Sequence, residues 1–183
     1  AFRFQTFPLF TNPLWGQIWL LMEPRISLLL PDGAGLSFKK TWRKKMLSVN
    51  YTARFVHHDG MTVYADRLTP ASVTEKPPVV MIHGGGHSGA CYLLTADNRP
   101  GWAHRFAAAG YPVWLPDWPG CGRSGDVPFA DLTGERVCAA LGAVLAEAAA
   151  ASPTCKIVLM THSMSGAMGW KLIEQNRPLI DRV

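Results

Sequence analysis

The segment Lys156-Ile157-Val158-Leu159-Met160-Thr161-His162-Ser163-Met164-Ser165-Gly166 passes from a strand into a helix with a serine at the turn. Lys156 to Met160 reads as a short buried parallel strand, and the residues from Ser163 to about Gln175 read as helix. No loop residues separate the two. A serine on so sharp a turn needs strained backbone angles, and small residues two positions to either side, here Thr161 and Ser165, let strand and helix approach. The turn lifts the hydroxyl clear of the sheet. It also sets the backbone N–H of Met164 at a helix N-terminus, where it can stabilise negative charge. A second register exists, because Ser165 also has small neighbours in Ser163 and Ala167. Ser163 is the expected nucleophile, since the apolar strand ends at Met160 and the helix must begin at once.

Upstream, strands and helices alternate. Tyr51 to His57 and Met61 to Leu68 each alternate in polarity around Asp59-Gly60, the pattern of a β-hairpin. Val79 to Ile82 is a wholly apolar run suited to a buried parallel strand. Trp102 to Ala109, closed by Gly110, reads as a helix, and Tyr111 to Leu115 as the next strand. Leu132 to Ala151 is alanine-rich and helical, with Pro153 beyond it. This alternation predicts an α/β architecture: a mostly parallel sheet covered on both faces, with an N-terminal hairpin.

Two loops at strand ends carry chemistry. His83-Gly84-Gly85-Gly86 follows the first parallel strand, and its glycines let backbone N–H groups converge on an oxyanion without Cβ obstruction. Gly85 and Met164 are the expected donors, with His83, Gly84 and Gly86 as the supporting loop. Three glycines after a strand also suit a phosphate loop, but the spacing and the Lys-Ser/Thr ending of that motif are missing. After the second parallel strand comes Asp117-Trp118-Pro119-Gly120-Cys121-Gly122-Arg123-Ser124-Gly125.

With these three pieces the chain resembles the α/β-hydrolase superfamily over roughly residues 51 to 183. The stretch from His83 to Ser124, with Asn98-Arg99-Pro100-Gly101-Trp102 leading into the first helix, is similar to a group of bacterial serine esterases. The elbow departs from the usual Gly-x-Ser-x-Gly, since Thr161 and Ser165 take the glycine places. The resemblance implies a structural role for Asp117, in a tight loop beside the site. It also implies the chain order serine, acid, histidine, with acid and histidine after later strands. On that pattern the domain is incomplete at Val183: the C-terminal strands are absent, the next one is expected to start at about that residue, and the triad partners lie beyond it. The remainder would come from the same gene product or from a second chain. The sequence begins at Ala1 rather than methionine, as a processed or partial chain would.

The implied function is hydrolysis of a small carboxylic ester through an acyl-enzyme on Ser163, with no cofactor and no metal. The same chemistry serves thioesters, lactones or carbon–carbon bonds, and a non-catalytic ligand-binding relative is the alternative of another class. Aspartate-type epoxide hydrolase and dehalogenase chemistry is disfavoured, because the elbow carries serine. Of the histidines, His162 is expected to pack, His83 and His87 to be structural or substrate-contacting, and His57, His58 and His104 to be ordinary surface or packed residues.

Residues 1 to 50 form a separate arm or cap segment, apolar and then basic. Seven lysines and arginines there face only Glu23 and Asp32, so the whole net charge of +5 resides in this segment and the rest balances. The body therefore has no charge excess to drive nucleic-acid binding. The apolar run from Trp15 to Leu30 is interrupted by Glu23-Pro24-Arg25 and is too broken for a membrane span. It also lacks the order of features that marks a signal peptide. A weaker contact of the arm with a membrane surface, through Trp15, Trp19 and the basic run Lys39 to Lys45, is compatible with its composition. Cys91, Cys121, Cys138 and Cys155 lack the close spacing of metal or redox pairs and are read as free thiols, with a Cys91–Cys121 disulfide as the alternative.

Overall fold

The computed structural model describes residues 49 to 183 apart from Val73. The arm or cap reading and its membrane contact therefore fall almost wholly outside the described residues. No helix among the described residues is long and apolar enough to cross a membrane.

Six strands form one sheet in the order β1-β2-β4-β3-β5-β6. The hairpin comes first, as β1 (Val49–His58) and β2 (Met61–Pro70), paired antiparallel along their whole length. Its turn residues Asp59 and Gly60 both have positive φ, 46° and 73°, the backbone that a two-residue hairpin of the right twist requires. β2 then pairs antiparallel with β4 (Val113–Pro116), which runs parallel to β3 (Val79–Ile82). β3 pairs parallel with β5 (Ile157–Thr161), and β5 with β6 (Ile180–Arg182). The architecture is the α/β-hydrolase fold, a mostly parallel sheet led by an antiparallel hairpin.

The continuous apolar runs of β3 and β4 follow from burial on both faces, because alternate residues feed two separate cores. Val80, Ile82, Trp114 and Leu159 pack with Val137, Leu141, Val144 and Leu145 of α2 (Gly134–Ala150) and with Leu172 of α3 (Met164–Asn176). Val79, Met81, Val113 and Leu115 face the other way, onto Ala103 and Ala107 of α1 (Trp102–Ala108). Each of these strand side chains is essentially fully buried, so truncating one to alanine costs about 2–5 kcal/mol.

The boundaries move by one or two residues from the sequence reading. One strand moves in a way that matters: it starts at Ile180 rather than about Val183. Arg177-Pro178-Leu179 turns the chain immediately after α3, and Lys156 Nζ donates to the Pro178 carbonyl, which brings the chain back beside β5 sooner than the pattern predicted. All four cysteines are free.

Candidate active site

The C-terminal ends of β3, β4 and β5 lead into three turns at one end of the sheet, and these turns carry the three sequence motifs. In the elbow, Ser163 stands between β5 and α3 with φ 56° and ψ −119°, a region that side-chain-bearing residues seldom occupy and that costs about 1–3 kcal/mol. Its side chain is exposed and caps no helix N–H, so the hydroxyl is not spent on local structure. Met164 is the first residue of α3, and a first-turn N–H has no carbonyl partner within its own helix.

Ser165 is the opposite case. It is 3% exposed, its Oγ accepts from the His162 N–H at 2.7 Å, and the one hydroxyl proton has the Ile82 carbonyl at 2.8 Å and the His162 carbonyl at 2.9 Å as acceptors. The structure thus separates the two registers: Ser165 is tied into the base of the elbow, and Ser163 is presented. Thr161 occupies the place where the family motif has glycine. Its side chain faces Gly169 of α3, where an added Cβ would lie in ordinary contact at 3.5 Å.

The glycine loop lies directly against this elbow. A Cβ at Gly84 would sit 2.9 Å from the Ser163 Cβ and 3.1 Å from the His162 carbonyl oxygen, so glycine lets the loop approach the elbow there, whereas at Gly85 the close neighbour is the Met164 Sδ. The Gly85 N–H makes no backbone hydrogen bond among the described residues. The root of the loop is fixed at Ile82, whose carbonyl accepts from Ser165 Oγ and also from the Tyr92 hydroxyl at 3.1 Å.

His83 is committed to the scaffold. It is 1% exposed, its Nε2 accepts from the Trp118 N–H at 3.2 Å, and its Nδ1 lies 2.7 Å from the Gly84 carbonyl. An Nε2 that accepts must be unprotonated, so Nδ1 carries the proton and donates. Burial lowers the His83 pKa, in line with a neutral ring stacked on Trp118. His162 departs from the expectation that it packs. It is exposed, with its ring 6.5 Å from that of His87 and its Nδ1 beside Gly84. His57 is exposed and bonded to Thr62, and His104 is half-buried on α1.

The third turn is saturated with charge. Asp117 is fully buried and accepts from the Gly89 N–H at 2.6 Å, from the Arg123 N–H at 2.9 Å and from the Arg123 guanidinium at 2.9 and 3.1 Å. Burial alone would raise its pKa, but the hydrogen bonds from Arg123 and Gly89 outweigh burial and hold the carboxyl below its usual range. Gly122 has φ 55°, and a Cβ there would overlap Asp117 Oδ2. Ser124 Oγ donates to the Asp117 carbonyl at 2.7 Å and accepts from the Tyr64 N–H at 2.9 Å, stitching the loop to the hairpin. Asp117 therefore ties its loop to Gly89, just after the glycine loop, and all its carboxylate contacts are to Gly89 and Arg123.

Sequence reasoning missed the partner of this loop. Arg123 also pairs with Asp66 of β2 at 2.7 Å and lies 4.0 Å over the Tyr64 ring, while Asp66 accepts from the hydroxyls of Tyr64 at 2.6 Å and Tyr51. The one available signal was a carboxylate, Asp66, beside Arg67 within the hairpin strand, and the sequence does not say that its side chain is buried.

Residues 79–182 match the Alpha/beta hydrolase family. A 67-residue stretch is 39% identical to the protein named "Probable secreted lipase phiG" of Fungal sp. (strain ATCC 74256), covering 37% of this chain and 18% of that one. Among solved structures, a novel bacterial esterase matches with a TM-score of 0.56 at 16% identity, over 70% of this chain and 64% of its own. The Cif epoxide hydrolase of Acinetobacter nosocomialis matches with a TM-score of 0.56 at 17% identity, over 85% of this chain and 46% of its own. At such identities the structural likeness speaks for the fold, and the chain spans less than two thirds of each of these proteins.

Proposed function

This chain belongs to the alpha/beta hydrolase family, and from that membership we propose that it is a serine hydrolase of carboxylic esters that works through an acyl-enzyme on Ser163. The observation that carries this reading is the contrast within the elbow: a strained, exposed serine hydroxyl with no structural duty, set against glycine backbone. Ser163 Oγ attacks the ester carbonyl, and the carbonyl oxygen gains negative charge as the tetrahedral adduct forms. The N–H groups of Gly85 and Met164 receive that charge, one from the oxyanion loop and one from the start of α3. The alcohol then leaves, and water releases the acid.

A serine hydroxyl is a weak nucleophile until a base takes its proton. His83 is spent on Trp118 and Gly84. We assign the base and its carboxylate partner to sequence following residue 183, as the chain order of this fold class implies. The remaining contact partner is then the small ester itself. The test is covalent labelling of the full-length protein by an active-serine phosphonate, with Ser163→Ala and Ser165→Ala beside it. Loss of labelling in the first variant and its retention in a folded second variant support the reading. Labelling that survives Ser163→Ala overturns it, and a protein that is never labelled returns the case to a ligand-binding relative.

A further inference from the structure

The geometry points to Met164 as a peroxide-oxidation site whose sulfoxide shuts the reacting centre, an inference that rests on Ser163 being the nucleophile. Five methionines lie among the described residues. Met61 and Met81 are 3% and 0% exposed in the core, Met160 and Met168 are half-buried, and Met164 is 54% exposed. Thioether oxidation follows exposure, so among these five the oxidant reaches Met164 first.

Position gives that modification its consequence. The Met164 Sδ packs on Gly85 so closely that a Cβ there would overlap it, and the adjoining Gly84 backbone faces the Ser163 side chain. The sulfur thus lies on the wall of the proposed oxyanion site. A sulfur lone pair attacks one oxygen of hydrogen peroxide; the S–O bond forms, the O–O bond breaks and water leaves. Sulfur loses two electrons and the peroxide gains them. The product carries a polarised S–O group, a strong hydrogen-bond acceptor, where a soft apolar sulfur stood. Beside Gly85 it competes for the N–H that the ester oxyanion needs and adds an oxygen to a sulfur already packed on that glycine.

The experiment treats the full-length protein with dilute hydrogen peroxide, locates added oxygen by peptide mass spectrometry and follows turnover of a short-chain aryl ester. The expected result is one oxygen on Met164 ahead of Met160 and Met168. Turnover falls in step by at least about tenfold, since loss of an oxyanion donor costs on the order of 10². Methionine sulfoxide reductase restores the rate. A Met164→Leu protein, whatever its own rate, keeps that rate under peroxide, and a Cys91→Ser, Cys155→Ser double variant stays sensitive, which separates the effect from the two exposed thiols. Oxygen on Met160 or Met168 before Met164, or a fully oxidised Met164 with unchanged turnover, overturns the proposal. Failure of the hydrolase reading looks different: the untreated protein then takes no phosphonate label, whereas failure of this proposal leaves that label intact.

Discussion

The elbow around Ser163 and the loop around Asp117 lie at the same end of the sheet, yet they are built on opposite principles. The Asp117 loop buries its charge and leaves no oxygen of that carboxylate without a donor, with Arg123 shared between Asp117 and Asp66. The elbow holds a polar residue at φ 56° and gives its side chain nothing to bond. Saturated polar groups stabilise and specify a fold, whereas an exposed group held under backbone strain marks a site where the fold gives up stability for a use. The difference explains why two equally Gly- and Ser-rich segments deserve different assignments.

The sharpest way to break that comparison is at the serine. Ser163→Gly should lower ester turnover by on the order of 10⁴-fold or more, as loss of a serine nucleophile does. The same change should raise stability by about 1 kcal/mol, because glycine adopts positive φ without the strain. Denaturant midpoints and turnover measured on the same preparations check both signs. A destabilised Ser163→Gly protein would show that the elbow is not strained and would remove the contrast.

The loop should respond in the opposite sense. Arg123→Met leaves the Asp66 and Asp117 carboxylates buried without their cation, and breaking a buried pair in this way costs about 3–5 kcal/mol. The lower end applies, because the guanidinium is 38% exposed and partly screened by solvent. Arg123→Lys should recover part of the loss and not all of it, since an ammonium cannot make the forked contacts to Asp117. A loss below about 1 kcal/mol in Arg123→Met would reduce the network to an ordinary surface ion pair. Between the two turns, Gly85→Val should cost turnover on the order of 10² with a smaller change in KM, because the wall it would enter already touches Met164. An effect confined to KM would make Gly85 a substrate contact instead.

Local patterns carried most of the fold. The hairpin was legible because Asp59-Gly60 can adopt positive φ at both turn positions, and the parallel strands because residues buried on both faces form unbroken apolar runs. The elbow and the glycine loop were legible as motifs, but their contact was not, since nothing in the chain tells that Gly84 meets Ser163. Choosing Ser163 over Ser165 rested on strand length. In the structure Ser165 is bonded to Ile82 and His162, an observation that supports the proposal of Ser163 and that phosphonate labelling tests. The Asp66–Arg123–Asp117 chain was illegible because it joins residues far apart in sequence, and no spacing rule anticipates a long-range charge pair. His162 was misjudged because strand alternation describes faces of a sheet, and His162 stands one residue past the end of β5, beside the glycine loop and exposed.

The smallest expected effect tests how tightly the two turns are tied together, and it falls on His83. Its ring joins the glycine loop to the Asp117 loop by donating to Gly84 and accepting from Trp118, and only the neutral form can do both. Burial lowers its folded pKa, so the folded protein binds this proton less readily than the unfolded chain does. The contribution of His83 is therefore fully present above the unfolded histidine pKa of about 6.5 and is lost as pH falls below it, by at most about 1.4 kcal/mol per pH unit for one proton. His104 is lowered by burial in the same direction, so the slope of the native protein alone does not isolate His83. Asp117, also depressed, acts in a separate window below the carboxylate range near 3.9. Urea midpoints taken from pH 7.5 down to about pH 5 on the native protein and on His83→Gln isolate the contribution, because the amide donates and accepts without titrating. The native protein should lose stability over this range more steeply than the variant. Equal slopes would mean that the two turns are held together without His83, through Asp117 and Gly89 alone.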